Sequence, residues 1–232
     1  FVPGAPIVGG QAVVGDWDGD ANAVTDLGLY IAGTGALWRD LDGNRAFLAA
    51  EQTQFLTVAQ AQAADQPVVG NFFAFGVAAC TDATPCVEFG VYRAGPGPGT
   101  GQFFLDSDDT GTFAAPDPTR AGWGGAGFAG VVADWNGDGI TDVGAYAPLA
   151  GTLQRDLDGN GAFAAAEQTT FLAATMNGDQ PLVGNTQAGA QAEFVVYRSP
   201  TGEFFEDANR SGVLDAGETL FRWPAGGRAV IG

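Results

Sequence analysis

The chain has no histidine and no lysine, and only two cysteines and one methionine in 232 residues. Without histidine there is no Ser-His-Asp or Cys-His relay, no histidine-ligated haem and no histidine-containing zinc site. Two cysteines cannot complete a structural zinc site alone. Basic residues are scarce as well. All nine are arginine, against 27 Asp and Glu, for a net charge of −18. That balance argues against nucleic-acid partners, whose phosphates need basic surface, and against anionic membranes. No apolar run approaches the ~18 residues of a transmembrane helix, so membrane insertion is not expected. The sequence begins at Phe1, not Met, and no charged-then-apolar leader is visible. The expectation is a mature, secreted chain, extracellular or at a cell surface.

Cys80 and Cys86 bracket the turn-forming stretch CTDATPC. They are read as a local disulfide in an oxidising compartment, against the alternative of two free thiols in a loop.

What is present is repetition. VVGDW (13–17), VVGNF (68–72), VVADW (131–135) and LVGNT (182–186) open four similar segments. DLGLYIA, EFGVYRA, DVGAYAP and EFVVYRS come after them, and then GALWRDLDGN, GQFFLDSDDT, GTLQRDLDGN and GEFFEDANRS. A fourth apolar run closes most units and is weak in the second (AGWGGAG, 121–127). These short Val-, Phe- and Tyr-rich phrases between Gly, Asp and Pro are strands. FLAAEQT and FAAAEQT allow one helical turn at most. The period of about 50–63 residues with four strands is that of a propeller blade. The predicted fold is all-β, a four-repeat β-propeller of about four antiparallel strands per blade; the alternative is an open β-repeat array. An N-terminal extension (1–8) precedes repeats at 9–66, 67–127, 128–180 and 181–232. Repeats 1 and 3 resemble each other most, as do 2 and 4, which points to duplication of a two-repeat block. The first strand of each unit reads as apolar on both faces, an inner buried strand. Gly15, Gly70 and Gly184, with Ala133, share a register that suggests backbone crowding about a central axis.

Most of the 27 acidic residues fall in six loops. One class is Asp134-Trp-Asn136-Gly-Asp138-Gly-Ile140-Thr-Asp142, which presents oxygens at alternating positions, with the carbonyl of Ile140 at the seventh. Repeat 1 has the same loop lengthened, with Asp16, Asp18, Asp20 and Asp26. The second class lies between the third and fourth strands and has EF-hand spacing, with oxygens at positions 1, 3, 5, 7 (carbonyl) and 12 and glycine at 6. Repeat 3 offers Asp156, Asp158, Asn160, Ala162 and Glu167. Repeat 1 offers Asp40, Asp42, Asn44, Ala46 and Glu51, with Arg45 where the glycine is expected. Repeat 4 offers Asp207, Asn209, Ser211, Val213 and Glu218. Repeat 2 offers Asp106, Asp108, Thr110, Thr112 and Asp117, whose shorter carboxylate predicts a weaker site. Carboxylate and carbonyl oxygens suit a hard cation, so two to six calcium ions are expected.

VVADWNGDGITDVGAY (131–146) and the PVVG and PLVG openings resemble the FG-GAP/VCBS-type repeats of bacterial surface proteins. They are also similar to the calcium-binding repeats of integrin alpha chains. The resemblance covers about residues 6–225 and implies a β-propeller with calcium held by Asp134, Asn136, Asp138, Ile140 and Asp142, and by Asp16, Asp18, Asp20 and Asp26. This chain departs from the integrin pattern in having four repeats rather than seven blades.

With binding loops and no catalytic set, the leading expectation is a calcium-binding structural or adhesive protein, not an enzyme. Its partners would be itself, another extracellular protein or a glycan. The N-terminal segment FVPGAPIVGG could complete the last blade or add a strand to a neighbouring copy and so build filaments. The alternative is a calcium-dependent lectin that uses faces among Trp17, Trp38, Trp123, Trp135 and Trp223. A third reading is a polysaccharide-active enzyme working through paired carboxylates.

Overall fold

The computed structural model describes residues 9–17, 25–72, 87–173, 178–218 and 220–222. The N-terminal extension, Asp18, Asp20, Cys80, Cys86 and Trp223 lie outside the described residues, and with them the disulfide and strand-addition expectations.

Each repeat folds as one four-stranded antiparallel meander, and the four sheets are the blades of a β-propeller. Repeat 1 contains β1 (Gly10–Gly15), β2 (Asp26–Ile31), β3 (Ala36–Arg39) and β4 (Gln52–Gln54). Repeat 2 contains β5 (Gln66–Gly70), β6 (Glu88–Arg93), β7 (Gln102–Leu105) and β8 (Thr119–Ala121). Repeat 3 contains β9 (Ala129–Ala133), β10 (Asp142–Ala147), β11 (Thr152–Arg155) and β12 (Gln168–Thr170). Repeat 4 contains β13 (Asp179–Gly184), β14 (Glu193–Arg198), β15 (Glu203–Glu206) and β16 (Leu220–Arg222). The helical turns expected in FLAAEQT and FAAAEQT are single 3-10 turns at Ala49–Glu51 and Ala165–Glu167. The weak fourth strand of repeat 2 is real but begins before AGWGGAG, at Thr119.

The most buried strand of repeats 2, 3 and 4 is the second rather than the first, whereas β2 of repeat 1 alternates, with Leu27 49% exposed. Val13 is buried while its neighbour Val14 is 55% exposed, so β1 alternates. By contrast β10 and β14 are buried along their whole length. The second strand is flanked on both edges within the meander, and the first on one only. Gly15 is small for a local reason: a Cβ there would come within 2.9 Å of the Trp17 indole.

The chain divides into two compact units, one holding repeat 1 with most of repeat 2, the other holding repeats 3 and 4 with the remainder of repeat 2. Each has its own core. In the first, Tyr30, Leu37, Phe55, Phe89 and Val91 pack together. In the second, Tyr146, Leu153, Phe171, Phe194 and Val196 do so. The corresponding rings meet edge to face in both, Phe55 on Phe89 at 4.8 Å and Phe171 on Phe194 at 5.1 Å. Burying each such side chain stabilises by about 1.5–3 kcal/mol.

The same correspondence holds for buried charge. Arg93 forks onto both oxygens of Asp65 at 2.7 Å, and Arg198 onto both oxygens of Asp179 at 2.8 Å. Each guanidinium also covers a phenylalanine ring, Phe104 or Phe205. The two-repeat block read from the sequence is therefore also a repeating packing unit.

Candidate metal centres

The loops between the third and fourth strands share one backbone design. Their fourth and sixth residues are left-handed: Gly43 and Arg45, Asp109 and Gly111, Gly159 and Gly161, Arg210 and Gly212. Arg45, Asp109 and Arg210 are the three non-glycine residues with positive φ among the described residues. Such a conformation costs an L-residue roughly 1–2 kcal/mol, so something must hold these loops.

Part of what holds them is the first aspartate. Its Oδ2 accepts the N–H of the sixth residue in every repeat: Arg45 to Asp40 at 2.8 Å, Gly111 to Asp106 at 2.7 Å, Gly161 to Asp156 at 2.6 Å and Gly212 to Asp207 at 2.7 Å. The twelfth residue turns back across the loop. Glu51 accepts the N–H groups of Leu41 and Leu48, and Glu167 those of Leu157 and Ala164. Glu218 accepts those of Asn209 and Asp215. Asp117, though shorter, reaches Ser107 and Ala114 at 2.8 and 2.9 Å.

These bonds gather carboxylates. Asp40, Asp42 and Glu51 bring ligand atoms within 4.8 Å of one another, as do Asp106, Asp108 and Asp117, and Asp156, Asp158 and Glu167. Two carboxylates about 4 Å apart repel by roughly 1 kcal/mol in water and by about 4 kcal/mol at an effective dielectric of about 20. Asp40 and Asp156 are only 1% and 2% exposed, and Oδ1 of each has no protein partner. Leaving a buried acceptor unmatched costs about 1–3 kcal/mol, more for a charged group. Burial, partly offset by the Gly161 N–H and reinforced by Glu167 and Asp158, pushes Asp156 up to about 6. A cation would satisfy the bare oxygen and cancel the repulsion, and an all-oxygen donor set suits calcium.

The even repeats differ. Arg39, at the end of β3, reaches into the loop of repeat 2, where Nη1 meets Asp109 Oδ1 at 2.5 Å. Arg155, at the end of β11, reaches likewise into repeat 4, where Nη1 lies 3.4 Å from Asp207 Oδ2 and 3.1 Å from the carbonyl of Arg210. Both guanidiniums are buried. Asp106 spends Oδ1 on the Thr110 N–H at 3.2 Å. Burial pushes it up to about 7, against the pull of Gly111 and Arg39. In repeat 4, Asp207 keeps a bare Oδ1, but the third position is Asn209. Asp215 instead binds Asn209 and Ser211, at 2.9 and 3.2 Å.

The other loop class is organised otherwise. Asp134 gives both oxygens to backbone N–H groups, of Gly137 at 2.5 Å and Gly139 at 2.9 Å. Asn136 and Asp138 accept the N–H groups of Asp138 and Ile140. Asp142 accepts that of Trp135 at 3.1 Å. Asp26 does the same for Trp17 at 3.3 Å. Glu88 and Glu193 do so for Phe72 and Thr186, both at 2.7 Å, in repeats that lack the acidic loop. A buried carboxylate at the start of the second strand is thus a fixture of all four repeats. Sequence reasoning assigned two of these residues to metal and missed the others. The register match of Asp26, Glu88, Asp142 and Glu193 was the available signal. Asp16 is described but Asp18 and Asp20 are not.

Of the tryptophans offered as sugar-stacking faces, Trp17, Trp123 and Trp135 are buried in the structure and Trp38 is half-buried. Trp123 packs on Phe163, the eighth residue of the repeat 3 loop, at 5.5 Å.

No family model matches the chain. No curated protein matches it. Among solved structures it is similar to a lectin of Agrocybe aegerita, described for its specific recognition of non-reducing terminal N-acetylglucosamine. Identity is 15%, the TM-score 0.50, and the match covers 93% of this chain. It covers 57% of the lectin chain, so this chain spans little more than half that length.

Proposed function

We propose that the protein is an extracellular, calcium-dependent glycan-binding module, a binding protein with no catalytic role. The observation that carries this reading is the propeller fold, shared over 93% of the chain with an N-acetylglucosamine-binding lectin. The acidic loops support the calcium dependence. Their buried carboxylates repel one another, and a bound cation would hold the loops in shape and present their exposed side chains, such as Asp42 and Asp158, to a ligand rich in hydroxyls.

A second reading, a structural or adhesive subunit of an extracellular assembly, is favoured by a different observation. The eighth residue of a loop bonds back to the preceding repeat, Phe113 N–H to the Phe55 carbonyl at 2.7 Å and Leu214 N–H to the Phe171 carbonyl at 3.2 Å. Loops that fasten neighbouring repeats suit a load-bearing part.

The test is a glycan array that includes glycans with terminal N-acetylglucosamine, probed in millimolar calcium and in excess chelator. Retention of a defined glycan class in calcium, lost in chelator, is the expected result. A folded protein that retains no glycan in either condition overturns the glycan reading and leaves the assembly reading standing.

A further inference from the structure

The four loops of EF-hand spacing differ in how their charge is met, and the difference alternates along the chain. We infer that the loops of repeats 1 and 3 are calcium sites, while those of repeats 2 and 4 are held by a buried arginine from the repeat before. The chain then takes two calcium ions at these loops, not four. This rests on the calcium part of the function proposed above and not on its glycan part.

In repeats 1 and 3 two independent observations coincide. Three carboxylates converge, and the most buried of them, Asp40 or Asp156, keeps an oxygen with no protein partner. The oxygens of Glu51 and Glu167 that accept backbone N–H groups each retain a further lone pair for an ion. No guanidinium is bonded to Asp40 or Asp156 among the ion pairs of the described residues.

In repeats 2 and 4 the same observations separate. The repeat 2 loop gathers three carboxylates, but both oxygens of Asp106 are bonded, and Arg39 sits in the loop on Asp109. The repeat 4 loop keeps a bare Asp207 oxygen but lacks a third converging carboxylate, and Arg155 lies against its other oxygen. The placement is tight. A Cβ on Gly111 would stand 2.6 Å from Arg39 Nη2, and one on Gly212 would stand 2.2 Å from Arg155 Nη2; one on Gly161 would stand 2.5 Å from Arg120 Nε, but Arg120 is half-buried and forms no ion pair with Asp156 among those of the described residues. Both arginines come from the residue just before the first aspartate of an odd loop. One Arg-Asp dipeptide therefore supplies a cation to the next repeat and a calcium ligand to its own.

The experiment is calorimetric titration of the chelator-stripped full chain with calcium chloride, with circular dichroism to confirm folding. The inference expects D40N and D156N each to remove one equivalent and the double variant to remove two. D207N and the D134N/D138N pair should leave both equivalents in place. If D40N or D156N fails to fold, E51Q and E167Q carry the same expectation. A folded wild-type chain with no saturable calcium binding overturns the inference, and so does loss of an equivalent in D207N but not in D156N. Calcium binding as described with an empty glycan array would count against the glycan reading alone.

Discussion

Within repeat 3, two acidic loops of almost the same composition are bonded differently. Asp134 and Asp156 both open a run of alternating oxygen side chains and glycines. Asp134 is half-buried and gives both oxygens to the glycine N–H groups of its own turn. Asp156 is buried, gives one oxygen to Gly161, and holds the other bare beside Asp158 and Glu167. The difference lies in the loop's far end. The first loop ends on Asp142, whose Oδ2 accepts the Trp135 N–H, whereas the second is long enough for Glu167 to return across its mouth. Alternating acids close a turn in both loops, and the loops differ in how the carboxylate at the far end meets the first one.

Three substitutions sharpen or break that contrast. The largest effect belongs to Asp142→Ala, which strands the buried Trp135 N–H and is expected to cost about 1–3 kcal/mol. Urea unfolding should show the same loss with calcium or with chelator, and a loss confined to calcium would make Asp142 a metal ligand after all. Asp156→Asn comes next. In a few millimolar calcium it should lower unfolding free energy by roughly 1–2 kcal/mol, the mass-action contribution of one extracellular-type site. In chelator it should be neutral or stabilising, because a repulsive charge is gone. Equal destabilisation in both conditions would mean that Asp156 serves only the Gly161 turn. The smallest effect is that of Asp134→Asn, expected at about 0.5–1 kcal/mol in either condition, since the amide oxygen keeps one of the two glycine N–H groups and the amide nitrogen loses the other. A calcium-dependent loss there would erase the distinction between the loops.

Much of the architecture was legible in the residues. Four copies of the strand phrases yield four meanders, and the kinship of repeats 1 with 3 and 2 with 4 reappears as matched cores. The site was legible in part. The spacing of Asp156, Asp158 and Glu167 places them together, and Asp117 reaches its cluster despite its length. Burial was misread because VVGDW reads as apolar on both faces, whereas Val13 is buried and Val14 is 55% exposed. Arg45 stands where glycine was expected and still adopts the left-handed turn, because Asp40 accepts its N–H. The roles of Arg39 and Arg155 could not be read at all. Each acts on a loop about 70 and 55 residues downstream, and no local pattern carries that distance.

The forward reach of these two arginines gives the chain a direction and a step size. A buried guanidinium is costly without its partner, so the repeat that contributes it must be followed by one that receives it. A chain of this design with an odd repeat added at its end would leave that repeat's arginine without the loop it serves. Growth by whole pairs keeps every such charge answered, which makes the pair, not the blade, the unit that gene duplication can copy without damage.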